Sequence, residues 1–166
     1  MKKLMRERGQ SLVELGVSLL ILLYLLSGAA EFGVLFFQFV QLRDAAQEGA
    51  LYGSMNPWID SAPPSAYADG KFEAGEAINQ AGIEARVRAA SATPIDLTNA
   101  DPATGVTVTV SSADGSNLFC EGHGLQVTVS YHHKIFMPFI PRLIGNTEIP
   151  LTATVVDTIL TPLCGP

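Results

Sequence analysis

Gly9, Gln10 and Glu14 are the residues of this chain whose types and spacing best suggest chemistry. Glycine has no side chain and fits a tight proteolytic site. A cut after Gly9 would free an α-amine on Gln10. Glu14 follows four residues on, one helical turn away on the same face. Its carboxylate can neutralise that amine, in its own chain or in a neighbouring copy. The group heads a long apolar run, QSLVELGVSLLILLYLLSGAAEFGVLFFQFVQL, from Gln10 to Leu42. An ionisable side chain in such a run is costly in a bilayer and marks a function. Glu31 lies in the same run, near the outer end of the spanning stretch. Two readings stay open for it: its carboxylate snorkels to the membrane interface, or it meets a partner on a neighbouring helix.

Other constellations carry less. His132 and His133 are adjacent on an alternating segment, so they point to opposite faces and do not share a metal. His123 sits in a glycine-containing loop. No nucleophile elbow, ordered triad or phosphate-binding glycine loop is legible, which argues against an enzyme and against a cofactor or metal. Residues 10–166 carry 15 acidic against 6 basic side chains, a net −9 with no basic patch. That balance disfavours nucleic acid as a partner.

The N-terminus points to a membrane. Lys2, Lys3, Arg6 and Arg8 against Glu7 give the first nine residues a net +3. From Leu12 to Phe32 is 21 residues, roughly 31 Å as a helix, enough to cross a bilayer. The basic leader orients the N-terminus to the cytoplasm and the rest outside. A secretory signal cut near Ser27-Gly28-Ala29 fits poorly, because Phe32, Val34, Leu35, Phe36 and Phe37 continue the apolar stretch. An uncleaved single-pass anchor carrying a small extracytoplasmic binding domain is the alternative reading. It leaves Gly9-Gln10 and Glu14 without a purpose.

The chain resembles a known family at these positions. RGQSLVELG (8–16), EFG (31–33) and QLRDAAQEGALYGS (41–54) are similar to the TadE-like pseudopilins of the tight-adherence, or Flp pilus, system. Leu15 stands where an aromatic residue often follows the glutamate, and Gln47 where a basic residue precedes Glu-Gly-Ala. The resemblance implies a minor, type IV pilin-like structural subunit of a pilus or secretion apparatus, with no enzymatic activity. It implies cleavage between Gly9 and Gln10 by a prepilin peptidase, with assembly through the apolar helix. The implied partners are the membrane, the prepilin peptidase, other pilin or pseudopilin subunits and an inner-membrane assembly platform. The implied location is the inner membrane, single-pass, and the cell exterior after filament assembly.

The elements that must position these groups follow from the pattern. The expected organisation is a cleaved basic leader over 1–9, a long helix over 10–54 spanning the membrane at about 12–32, and an α+β domain over 55–166. No proline interrupts the chain between Gln10 and Pro57, so one helix of roughly 65 Å is expected. On its outer half Ala45, Gly49 and Gly53 form one small-residue track, and Ala46, Ala50 and Ser54 another. Glycine costs a helix about 1 kcal/mol against alanine, and close packing of the chain's own sheet is the expected compensation. Ala29 and Gly33 form a small pair within the spanning stretch, a candidate helix-contact site.

Residues 55–70 read as a proline-rich loop in which Trp58 anchors to the domain surface, with the membrane interface as the alternative. A second helix is expected from Phe72 to Ala90, with Ala74, Ala77, Ile78, Ala81 and Ala85 on its apolar face and Glu84–Arg88 as an outward pair. Three alternating segments then predict an antiparallel meander: strands from Val106, from Leu125 to Ile135 and from Ile149 to Ile159, with a turn at Asp114-Gly115. Phe136, Met137, Phe139 and Ile140 between the last two are read as packing on the sheet end, with an exposed contact patch as the alternative. Pairing Ile135 with Glu148 brings Cys120 and Cys164 to one end of the last two strands. A disulfide is the expectation and two free thiols the alternative; outside the cytoplasm the bridge would contribute roughly 3–4 kcal/mol.

Overall fold

A computed structural model describes residues 2–57, 71–72, 76–101, 103–138 and 140–165, with side chains from Gly9 onward. Trp58, Ala74 and Phe139 lie outside the described residues. The class is α+β. Helix α1 runs over Lys2–Met55, β1 over Lys71–Phe72, α2 over Gln80–Ala89 and β2 over Val106–Ser112. Strand β3 covers Gly124–Lys134, α3 Ile140–Ile144, β4 Glu148–Thr158 and β5 Leu163–Cys164. The chain divides into two units. One comprises 1–36 with 134–149, the other 37–133 with 150–166.

Helix α1 continues through the basic leader as well as the apolar run, 54 residues in all. It stops at Met55 because the residue before a proline disfavours the helical region and Pro57 is near. Asn56 closes the last turn, its amide donating to the Tyr52 carbonyl at 2.9 Å.

The second unit holds the core. Leu42, Ala45, Ala46 and Ala50 of α1 are fully buried, as are Ile83 and Val87 of α2 and Leu125, Val127 and Val129 of β3. Both small-residue tracks face this core, and the packing partner is the chain's own domain. A β-carbon on Gly49 would lie 2.4 Å from Val87 Cγ2, and one on Gly53 2.4 Å from Leu125 Cδ2. The missing side chains are therefore the space that α2 and the sheet occupy.

The three-stranded sheet has the order β2-β3-β4 and is antiparallel. Val108 pairs with Val129 and Val110 with Val127. β4 is an edge strand, which suits Pro150 within it because no ladder amide is lost inward. Between β3 and β4 the Ile135 amide donates to the Thr147 carbonyl at 3.0 Å, and Thr128 Oγ1 lies 3.1 Å from Thr154 Oγ1. This register is one residue removed from an Ile135–Glu148 pairing. Gly145, at φ +76°, ends α3 in the left-handed region and returns the chain to Thr147.

Several elements depart from the sequence pattern. α2 begins at Gln80 rather than Phe72, because the Asn79 side chain caps it by accepting the Gly82 amide at 2.9 Å. Its buried face is Ile83 and Val87; Ala81 and Ala85 are exposed. The larger β-branched side chains fit over the glycines of α1, whereas alanines would leave that space unfilled. Phe72 instead belongs to a parallel two-strand bridge, opposite Cys164, and its buried ring meets Phe119 edge-on at 5.9 Å. Glu84 and Arg88 do pair, at 2.6 Å, but Arg88 is not simply outward. It also donates to the carbonyls of Leu97, Asn99 and Val106, tying the segment after α2 to β2.

Cys120 and Cys164 are bonded, with Cα atoms 5.0 Å apart. The bridge fastens β5 to the loop before β3 and closes a 44-residue separation.

The glycine contacts set a direct test. Gly49→Ala should lower stability by about 1–3 kcal/mol through overpacking, against the helix preference of alanine. Gly33→Ala, where nothing lies within 4 Å of the added carbon, should leave it unchanged or raise it by up to about 1 kcal/mol. Thermal unfolding of the full chain in detergent, followed by circular dichroism, compares the two.

Candidate anchoring and assembly site

From Leu12 to Leu26 every residue of α1 is exposed within its own unit, and most of them are apolar. Leu12 is 72% exposed and Leu25 70%, and Val13, Leu15, Leu19 and Leu22 are exposed too. Aliphatic side chains in that number do not face water on a stable helix; they require a non-aqueous neighbour. Among the described residues one helix, Gly9–Met55, is long and apolar enough to cross a membrane. That fits a single-pass membrane anchor.

Gly9, Gln10 and Glu14 all lie in helical backbone at the start of this surface, and all three are exposed. A β-carbon on Gly9 would meet nothing within 4 Å. Glu14 occurs one turn after Gln10, as the spacing predicts. Gly33 likewise has open space where a side chain would be, so the Ala29–Gly33 pair makes no close backbone contact at Gly33 within the chain.

Glu31 is different. Its residue is only 4% exposed. One carboxylate oxygen accepts the Phe136 amide at 3.1 Å and the other the Met137 amide at 3.0 Å. The carboxylate thus holds two consecutive backbone donors of the β3–β4 connection. Charge-assisted bonds of this kind are among the stronger ones. Neither snorkelling nor a neighbouring helix is needed to explain its burial. The partners come from residues 105 and 106 positions away in sequence.

The β3–β4 connection does not pack as its apolar sequence predicts. Phe136 is 77% exposed and Leu143 79%. Met137 and Ile140 are half-buried.

Within the second unit, Gln41 performs a structural role the residue pattern did not single out. Its side-chain amide donates to the Ile95 carbonyl at 2.8 Å and its oxygen accepts the Ile95 amide at 2.8 Å. It thereby satisfies both backbone groups of a buried residue. Its position one residue before Leu42 and four before Ala45, on the buried face, was the available signal.

Cys120, His123 and Cys164 come together in space. The sulfurs are bonded to each other, so they offer no thiolate to a metal. His133 is buried and His132 exposed on opposite faces of β3, as expected. His123 instead meets Asp114, Nδ1 to Oδ2 at 2.7 Å. The Ser112 hydroxyl, then the Ser116 hydroxyl and amide, then His123 hold the Asp114 carboxyl far below the usual aspartate range.

Within the second unit the small-residue face of α1 after residue 37 is covered by α2 and the sheet; within the first, the apolar part of the helix is largely exposed. The model of the TadE-like protein family matches residues 9–51. Residues 9–51 are TadE-like. That match begins at Gly9, at the junction itself, and extends to Leu51 among the buried small residues. The likeness is to structural proteins associated with tight-adherence pili. No curated protein and no solved structure matches the chain. The TadE-like segment includes Glu14, Glu31, Gly33 and Gly49, and stops short of Gly53.

Two expectations follow from this geometry. Glu31→Ala removes both acceptors for Phe136 and Met137. Trypsin cleavage after Arg142 should accelerate at least roughly ten-fold, as losing two charge-assisted bonds of about 1.5 kcal/mol or more implies. Glu14→Ala should leave the rate unchanged. Asp114 gives a pH signature. Its folded carboxyl ionises below the ordinary 3.8, so the unfolded chain takes up the proton first as pH falls. The stabilisation is present above that value and lost below it. The melting-temperature gap between wild type and Asp114→Asn should therefore be open at neutral pH and close progressively on acidification below 3.8.

Proposed function

We propose that the protein is a minor pilin-like structural subunit, a pseudopilin, of a tight-adherence or type IV-like pilus or secretion apparatus. The observation that carries the reading is the bare apolar helix directly behind Gly9, within a segment that is TadE-like from that residue on. The helix over 12–32 holds the subunit in the inner membrane, N-terminus to the cytoplasm and domain outside. A prepilin peptidase removes residues 1–9, cutting between Gly9 and Gln10. A protease needs extended substrate, and glycine makes local unwinding of α1 there about 1 kcal/mol easier than alanine would. The freed Gln10 amine is neutralised by Glu14, in the same or a neighbouring subunit, when the apolar helices leave the assembly platform and pack together. Ala29 and Gly33 supply a small-residue contact for that packing. Glu31 couples the helix to the β3–β4 connection in each subunit.

Co-expression with a prepilin peptidase tests this. The mature N-terminus should be Gln10, and Gly9→Ala should abolish processing. Glu14→Ala should be processed nearly as wild type yet enter the filament or apparatus poorly, measured by co-purification with its other subunits. Retention of Met1 through Gly9 in the wild type would instead make the protein an uncleaved single-pass anchor with a small outer domain.

A further inference from the structure

The β3–β4 connection lies against the anchor. Ile140 and Leu143 line one apolar groove with Ile21, Leu25, Gly28 and Ala29 of α1. All belong to one unit. Along the helix, Ile21 is about 16 Å inside the Phe32 end of the membrane-spanning stretch. We propose that the β3–β4 hairpin tip is a second membrane element, inserted beside α1 into the outer half of the bilayer, with lipid acyl chains covering Phe136, Leu143 and Ile144. The inference rests on the reading that residues 12–32 span the membrane.

Three observations support acyl chains as the occupant. Ile140 and the exposed Leu143 are continuous with the exposed apolar surface of α1 through the shared groove, and Phe136 and Ile144 are exposed on the same connection. Arg142 is the sole charged residue between Ile135 and Thr147, and a long side chain can snorkel to the headgroups. Five backbone amides of the connection are paired, which reduces what hydrocarbon would otherwise penalise. The Ile135 amide is bonded to the Thr147 carbonyl, the Phe136 and Met137 amides to Glu31, and the Ile140 amide to the Met137 carbonyl. Pro138 and Pro141 have no amide to satisfy. Gly145 donates to the Pro141 carbonyl at 2.9 Å. On this view Glu31 has a specific purpose: it neutralises two amides that would otherwise be unpaired near lipid, at the point where the hairpin joins the helix.

Tryptophan depth measurement in the full-length chain, on a Trp58→Phe background, tests the proposal. The protein is reconstituted into phosphatidylcholine–phosphatidylglycerol vesicles with or without bromine on the acyl chains. Leu22→Trp reports on the anchor, Thr109→Trp on an exposed position of β2, and Leu143→Trp on the hairpin. Leu143→Trp emission should drop roughly two-fold or more in brominated vesicles, as for Leu22→Trp, while Thr109→Trp is unaffected. Leu143→Trp behaving like Thr109→Trp while Leu22→Trp is quenched would overturn the hairpin proposal and leave the anchor standing. An unquenched Leu22→Trp would remove both. Leu143→Trp shielded from aqueous acrylamide only at high protein-to-lipid ratio, and never quenched by bromine, would assign the patch to a second copy and overturn lipid as its occupant.

Discussion

Val87 and Leu125 lie where β-carbons on Gly49 and Gly53 would have to be. This close approach of α2 and the sheet to one face of α1 is the constraint on which the domain is built. It excludes side chains from two helical positions and makes that stretch of helix dependent on the domain packed on it. Alone in water the same residues would be poor helix formers. Leu42, Ala45, Ala46 and Ala50 complete the face. Since the domain consumes the small residues after Gln41, the apolar surface before residue 37 has no role in the second unit's core. It stays available for lipid and, in the proposed function, for other helices.

Polar groups in the apolar part of the chain follow the same economy of partners. A carboxylate among leucines and phenylalanines is unfavourable unless something compensates it. Glu31 is compensated by two adjacent amides contributed from more than a hundred residues away. The arrangement is reciprocal, because the amides are themselves donors in need of an acceptor. Gln41 does the equivalent for Ile95 in the domain, matching one side-chain amide to both polar groups of a buried residue. In both places a side chain on α1 fixes a loop that has too little secondary structure to fix itself.

The second unit is also fastened by different means. The disulfide joins β5 to the loop before β3, and the Phe72–Phe119 contact lies beside it. The turn at Asp114 and Gly115 is organised by a carboxylate that collects Ser112, Ser116 and His123. The disulfide closes a 44-residue separation and so restricts the unfolded chain, while the Asp114 carboxylate constrains a short turn locally.

Local pattern was enough to read much of this from the residues. The absence of proline between Gln10 and Pro57, with the apolar run, specifies a long helix. Period-two alternation specifies β2, β3 and β4, and the spacing of four specifies which alanines and glycines of α1 share a face. These are properties of the covalent chain and its solvent, and they act over a few residues. The start of α2 is set by a cap, Asn79, and not by the alanine-rich pattern before it, and its buried face is set by glycines on another helix. β1 and β5 are two residues each and exist only by pairing with one another, so no periodicity announces them. The partners of Glu31 and the outward turn of Phe136 depend on where distant segments meet in space. Hydropathy and helical spacing determine that a helix long and apolar enough to cross a membrane, with an acidic group near each end of the apolar stretch, exists in this chain. Only the tertiary structure decided that one of those acids, Glu31, is buried against backbone amides while the other, Glu14, remains exposed, because burial requires a partner brought from elsewhere in the fold.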